Sequence, residues 1–220
     1  EVLFRRFQNG KEVKIEENEI SDAMLLKQMA DNGDPESMFY YGRLCYFGEE
    51  VPLDKQEAAR YFRQSADLGY LSSMNFIGNM LFKGDGIPQD RLTSSQYYKA
   101  ASDLGDYEAM TNYAILIYNG YSVEKNKKEA ARLFKCASEN GNLRAMNNYA
   151  NVLYGGNGIP MNKKEAALLY KKAADLGYSP AMNNYANMLI IGDGIEKDQP
   201  LALEYYEKAA DKGFEFAAYN

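Results

Sequence analysis

Ser122-Val123-Glu124-Lys125 sets a lysine three residues behind a serine, the string with which some acyl-transfer enzymes place a nucleophile beside its base. That chemistry needs the serine at a helix start and further partners from elsewhere. Here the string falls in a loop between helices, and no catalysis is expected of it. Gly84-Asp85-Gly86 and Gly156-Asn157-Gly158 invite comparison with phosphate cradles, but a Walker-type loop needs Lys-Ser/Thr behind its last glycine and neither has it. Asp85, Asp193, Asp90 and Asp198 lack the alternating carboxylates and closing Glu of a twelve-residue calcium loop, and Asp90 and Asp198 suit helix capping better. Histidine is absent, which removes the commonest general base and the commonest metal ligand together. The two cysteines, Cys45 and Cys136, are too few for a disulfide framework or a thiolate cage, and both lie in apolar helical stretches. The sequence predicts no enzyme, no metal and no cofactor.

What remains is asparagine. Its amide offers a donor and an acceptor together, the pair that a peptide backbone presents in reverse. It is a mediocre helix former, preferred at caps and turns. Yet this sequence sets it inside predicted helices in register: Asn75, Asn147 and Asn183; Asn112, Asn148 and Asn184; Asn79, Asn151 and Asn187. The first and third sets are four residues apart, one turn on the same helix face. Such a ladder can hold an extended chain with little regard to its sequence.

The register comes from a repeat. Gly33, Gly69, Gly105, Gly141, Gly177 and Gly213 are each 36 residues apart, as are Gly48, Gly84, Gly120, Gly156 and Gly192. A small-residue column reads Gly42, Gly78, Ala114, Ala150 and Ala186, and a methionine column starts at Met38 and ends in Ala218. Each unit predicts two helices. Met146, Tyr149, Ala150 and Leu153 have the spacing of one helix face. A glycine-rich loop follows, and the second helix starts behind Asp54, Asp90, Asn126, Asn162 or Asp198, with Glu57, Glu129 and Glu165 three residues on as capping-box partners. It ends at the first glycine column as a C′ residue. One pair cannot bury its own apolar face, so stability must come from stacking. The small column lets paired helices approach, and Phe62, Tyr98, Phe134, Tyr170 and Tyr206 are expected to fill the gap between units. The prediction is an all-α, right-handed α/α superhelical solenoid of 36-residue helix pairs over residues 21–220. Residues 21–32 begin it as a lone second helix, and 215–220 end it as a partial first helix. Residues 1–20 match nothing in the repeat and are expected to be a capping helix or a linker from an upstream domain.

Composition agrees. Of 220 residues, 46% are hydrophobic and 25% charged, enough for a core, and the length suits one large or two small domains. The net charge is −6, from 25 basic and 31 acidic residues, which argues against nucleic acid or an anionic membrane as partner. No apolar run is long enough to insert in a membrane. The chain starts without Met and shows no signal peptide, from which a piece of a longer, cytoplasmic protein is expected.

The pattern resembles the Sel-one-like repeat family, relatives of the tetratricopeptide repeats. Gly84-Asp85-Gly86-Ile87 through Asp90, closing on Ala100-Ala101-Ser102-Asp103-Leu104-Gly105, carries the resemblance, and so does Gly156-Asn157-Gly158-Ile159 through Asn162, closing on Ala173-Ala174-Asp175-Leu176-Gly177. The third loop, Gly120-Tyr121-Ser122-Val123, departs by losing its second glycine, and the cysteines of the family's disulfide-bonded members are missing. The resemblance implies an adaptor. By analogy with the tetratricopeptide groove, the inner face of the first helices lines a concave surface carrying Asn75, Asn79, Asn112, Asn147, Asn148, Asn151, Asn183, Asn184 and Asn187. Tyr118 and Tyr154, at the ends of first helices beside it, add apolar contact. Five units at roughly 10 Å each span about 50 Å, the length of an extended segment of roughly 15 residues. The expected function is a non-catalytic scaffold gripping an extended protein or peptide segment. Two other readings stand beside it: a C-terminal regulatory tail of a larger signalling enzyme such as a kinase, and a structural solenoid that self-associates end to end through its half-repeats.

Overall fold

The computed structural model describes residues 22–211, together with the backbone of residues 6–8 and 11–13. The partial first helix expected over 215–220, and the last members of two columns, Gly213 and Ala218, lie outside the described residues. Within 1–20, where a capping helix was one expectation, the described backbone is instead a short antiparallel pair, β1 (Arg6–Gln8) and β2 (Lys11–Val13), with Arg6 opposite Val13 and Gln8 opposite Lys11. The Asn9-Gly10 dipeptide between them is a strong short-range hairpin signal that the repeat-led reading passed over.

All else described is helical. The helices are α1 (Asp22–Asp31), α2 (Pro35–Phe47), α3 (Lys55–Asp67), α4 (Leu71–Lys83), α5 (Arg91–Asp103), α6 (Tyr107–Asn119), α7 (Lys127–Glu139), α8 (Leu143–Gly155), α9 (Lys163–Asp175), α10 (Ser179–Ile191) and α11 (Gln199–Asp211). The fold is the all-α solenoid of helix pairs that the repeat predicts. The chain divides into two compact units, residues 1–73 and 74–220, with the boundary inside α4. In the first, α1 packs on α2 and α2 on α3; in the second, each helix from α5 to α11 packs on the next.

Loop chemistry sets the phase. The helices α1, α3, α5, α7 and α9 each close with two bonds: the glycine N–H to the carbonyl three residues back, and the next N–H to the carbonyl five back. Gly105 bonds Ser102 and Asp106 bonds Ala101; Gly141 bonds Ser138 and Asn142 bonds Ala137. This closure needs a left-handed residue, and Gly105 and Gly141 have φ of +90° and +88°. A Cβ at either would meet no atom within 4 Å, so the glycine answers to backbone conformation alone.

The N-caps fall where expected. Asp54, Asp90, Asn126, Asn162 and Asp198 accept from N–H groups two or three residues on. The reciprocal half of the capping box is not made. The cap's own N–H goes to the last turn of the preceding first helix, Asp54 to Cys45, Asp90 to Leu81, Asn126 to Ile117, Asn162 to Leu153 and Asp198 to Leu189, at 2.8–3.1 Å. The glutamates are thereby released. Glu57 pairs with Arg60, Glu129 with Arg132, and Glu165 accepts from the Asn162 amide. The main-chain bond ties the two helices of a unit at a fixed angle, which a capping box cannot do.

The large-residue column has a contact within its own unit. A Cβ on Gly42 would lie 2.9 Å from the Phe62 ring, and one on Gly78 2.7 Å from the Tyr98 ring. Each ring lies on the small residue of its own unit. Tyr170 and Tyr206 reach Asn151 and Asn187 of their own first helices, and Phe134 meets Tyr118 in the same way. These rings bind the pair of their own unit together. Around them Ala130, Ala137, Ala145, Ala150, Ala166, Ala173 and Ala186 are fully buried in one continuous core of the second unit.

Gly105→Ala and Gly141→Ala are each expected to lower unfolding stability by about 1 kcal/mol, the cost of left-handed alanine where no clash adds to it. Urea titration followed by circular dichroism checks both.

Candidate protein-interaction face

The eleven residues expected at the binding face belong to the first helices α4, α6, α8 and α10, all in the second unit, with α4 entering it at Met74. The structure divides them by what their amides already bind. Asn79, Asn151 and Asn187 accept hydrogen bonds from Tyr98, Tyr170 and Tyr206 hydroxyls at 2.5–2.8 Å. These three oxygens satisfy rings of the intra-unit core. Of the three residues, Asn151 is exposed and the others half-buried.

A second group bonds across repeats. Asn112 Nδ2 donates to Asn75 Oδ1 at 2.8 Å, and Asn184 Nδ2 to Asn147 Oδ1 at 2.9 Å. The offset is 37 residues, so each bond joins one asparagine column to its neighbour in the next unit. Asn112 and Asn147 are each 6% exposed, too deep for a ligand to reach first. The junction of α6 and α8 breaks the series. Thr111 stands in the column of Asn75, Asn147 and Asn183, and its hydroxyl turns back to the Tyr107 carbonyl. There Arg144 takes over, donating to Asn112 Oδ1 and to Glu108. Asn148, which would have donated to an asparagine at 111, is half-buried and takes part in none of these bonds. Asn184 keeps its Oδ1 outside them. Asn183 Oδ1 is buried and has no partner among the described residues.

Tyr118 and Tyr154 are half-buried and engaged. The Tyr154 hydroxyl donates to Asp193 at 2.8 Å, and Lys163 Nζ sits 5.1 Å from its ring. Lys127 Nζ sits 5.3 Å from the Tyr118 ring. Sequence reasoning missed these lysines. Lys127 donates to Asn157 at 3.0 Å and Lys163 to Asp193 at 2.7 and 2.9 Å, so the start of one second helix is fastened to the next unit's loop. The Lys163 ammonium and the Tyr154 hydroxyl hold the Asp193 carboxyl below the usual carboxylate range. The signal was present as an offset of 30, which a search for columns at 36 does not find.

Among the described residues no group of three or more His, Cys, Asp or Glu is placed to hold a metal, and no helix is long and apolar enough to cross a membrane. What the asparagine face offers is hydrogen bonding of both polarities, concentrated on α8 and α10.

The family's repeat model matches five times, over residues 35–70, 71–106, 108–142, 143–178 and 179–214. The chain belongs to the Sel1 repeat family. Sel1 repeat proteins are generally non-catalytic scaffolds for protein interaction. Among solved structures the chain is similar to a protective antigen of uropathogenic Escherichia coli displaying an SLR fold, at 27% identity and a TM-score of 0.81, covering 90% of this chain and 42% of that one. It is also similar to a Sel1 repeat protein from Oxalobacter formigenes, at 22% identity and a TM-score of 0.81, covering 90% and 86% of the two chains. An immunity protein from Pseudomonas aeruginosa shares the fold at 17% identity, with a TM-score of 0.59 and coverage of 84% and 68%. The chain thus spans less than half the length of the Escherichia coli antigen. The sequence matches no curated protein.

Two outcomes follow for the Sel1 units. A double-mutant cycle on Asn147→Ala and Asn184→Ala is expected to return a coupling of about 1 kcal/mol, that of one part-buried hydrogen bond. Burial pushes the Tyr98 phenol up to about 12 from 10.0. A phenol whose folded pKa is raised favours folding below its unfolded pKa, and that contribution fades as pH climbs through the folded value. Stability is therefore expected to fall between pH 10 and about 12. Tyr98→Phe removes Tyr98's share of that slope in urea titrations at each pH.

Proposed function

We propose that this chain is a protein-interaction scaffold that holds an extended segment of a partner protein along the first-helix face of α8 and α10, by hydrogen bonds to the segment's backbone. The observation that carries the reading is Asn148. It stands one repeat before Asn184 in a column whose other amides staple neighbouring units, but the residue it would staple to is Thr111. Its donor and acceptor are left for something else. Asn184 adds an acceptor, since only its Nδ2 is committed to Asn147. The Asn183 oxygen, on the same helix, is buried and has no partner among the described residues. Backbone recognition of this sort is tolerant of sequence, because the amide matches the main chain and not a side chain.

The bonded asparagines contribute differently. Asn75, Asn79, Asn112, Asn147, Asn151 and Asn187 hold the units in shape, as the Asn184 Nδ2 also does through Asn147, and replacing any of them acts on stability as well as on binding. The choice of variants follows from that division. An array of unrelated 15-residue peptides is screened against the wild-type protein and against Asn148→Ala/Asn184→Ala, with melting temperatures compared. Peptides of varied sequence captured by the wild type, and at least about tenfold weaker on the double variant, are the expected result, two lost hydrogen bonds being worth about 1.4 kcal/mol or more. Equal capture by both proteins would refute backbone recognition by these amides.

A further inference from the structure

The cation that opens a second helix is matched by the next unit's loop at Lys127, through Asn157, and at Lys163, through Asp193. Arg91 occupies the same column, 36 residues before Lys127. The loop residue in the position of Asn157 and Asp193 is here Tyr121, which turns its ring to the guanidinium. The Arg91 Cζ lies 5.2 Å from the Tyr121 ring centroid and 5.4 Å from that of Phe82. Its Nε is buried and has no hydrogen-bond partner among the described residues. The carboxylate next to it in sequence, Asp90, accepts from Thr93 N and Oγ1, as a cap should.

The loop that carries Tyr121 is unusual in a second way. Gly158 and Gly194 fill a column where a Cβ would come within 2.7 Å of Lys127 and Lys163 respectively, so those loops lie directly on the start of the preceding second helix. The residue in that column here is Ser122, held at φ +59°. Its Cβ cannot take up the close contact that the glycines make. A non-glycine residue in left-handed conformation is a cost that a glycine would have avoided. The loop therefore lacks the glycine through which its counterparts close on their lysines.

We propose that Arg91 is a receptor for a carboxylate carried by a bound protein segment, seated at the guanidinium on the side away from Phe82 and Tyr121. The ligand class is given by the molecule itself: at the equivalent place the Asp193 carboxylate sits on Lys163 at 2.7 and 2.9 Å. The two ring centroids are 6.2 Å apart, so both rings lie to one side of the guanidinium and the donors on its other side remain for a planar two-oxygen acceptor. Arginine suits that geometry where lysine offers only a point charge. The carboxylate comes from an acidic side chain or from a chain's C-terminus, which share this chemistry. The site stands on Arg91's own surroundings and does not depend on the asparagine face.

The test follows the arginine Nε–Hε resonances of the whole chain by ¹⁵N–¹H NMR, with Arg91 assigned through Arg91→Lys. Three probes are titrated at constant ionic strength: acetyl-Ala-Glu-Ala-amide, acetyl-Ala-Ala-Ala with a free C-terminus, and acetyl-Ala-Gln-Ala-amide. A saturable downfield shift of Arg91 Hε with one or both carboxylate peptides, and none with the glutamine peptide, is expected; whichever peptide acts identifies the source. Tyr121→Asp places the acceptor that Asp193 provides elsewhere. It should shift Arg91 Hε before any peptide is added and weaken the peptide response about tenfold or more, the worth of about 1.4 kcal/mol. Tyr121→Asn, copying Asn157, serves if the aspartate variant does not fold. No saturable shift with any probe, equal shifts with all three, or an undiminished response in the Tyr121 variant would overturn the proposal. Asn148→Ala/Asn184→Ala should leave the shift intact, so a failure of the asparagine face and a failure of this site read differently.

Discussion

An aromatic ring on each second helix lies against a first-helix position that has only a hydrogen or a methyl group to offer. Phe62 on Gly42 and Tyr98 on Gly78 define the contact, and the later units repeat it with alanine. That close approach brings the N-cap of the second helix within reach of the first helix's last turn, where its N–H finds a carbonyl. The pair is then one rigid body, and only rigid bodies can stack into a solenoid whose stability sums over units and interfaces. A tyrosine used this way carries a hydroxyl into the core, and a buried hydroxyl must be bonded. Three of the nine asparagines of the candidate face answer that demand.

The pairing is written in the sequence once the contact is known. Where the ring is tyrosine, at Tyr98, Tyr170 and Tyr206, the first helix carries Asn79, Asn151 and Asn187; where it is phenylalanine, at Phe62 and Phe134, the matching residues are Arg43 and Ile115. The amide appears only where a hydroxyl needs an acceptor. Reading down a column shows that asparagine recurs; reading across two columns shows why. The helix pairs, their caps and the repeat length were legible because they depend on residues close in sequence. The reciprocal capping box looked equally legible and is absent, because a tertiary carbonyl outcompetes the glutamate for the cap N–H.

The interactions between units were not legible in the same way, for a geometric reason. Asn75 with Asn112 and Asn147 with Asn184 are offset by 37, and Lys127 with Asn157 and Lys163 with Asp193 by 30. Stacked units touch through positions that are not equivalent, so a repeat length of 36 conceals its own interfaces. The candidate face was therefore drawn too wide from sequence: nine asparagines shared a column pattern, and most of them are spent on one another or on tyrosines. The strand pair over residues 6–13 escaped for another reason, since it owes nothing to the repeat.

In a repeat protein a residue that fits its column is accounted for by the fold, and the informative positions are those that depart from it. Thr111 withdraws a staple and leaves Asn148 uncommitted, while Arg144 takes over the junction by bonding Asn112 and Glu108. Tyr121 and Ser122 withdraw an acceptor and a glycine from the same loop and leave Arg91 without a match. Thr111 lies within α6, and Tyr121 and Ser122 lie in the loop that follows it. The flanking junctions keep the rule, with Asn112 on Asn75 before it and Asn184 on Asn147 after it. A fold that sums over nearest neighbours can lose one staple without losing cooperativity, because the core of α6 to α11 continues through the break. Specificity can accordingly be written into the middle of such a solenoid at little cost to its stability, and α6 is where this sequence departs from its own repeat most.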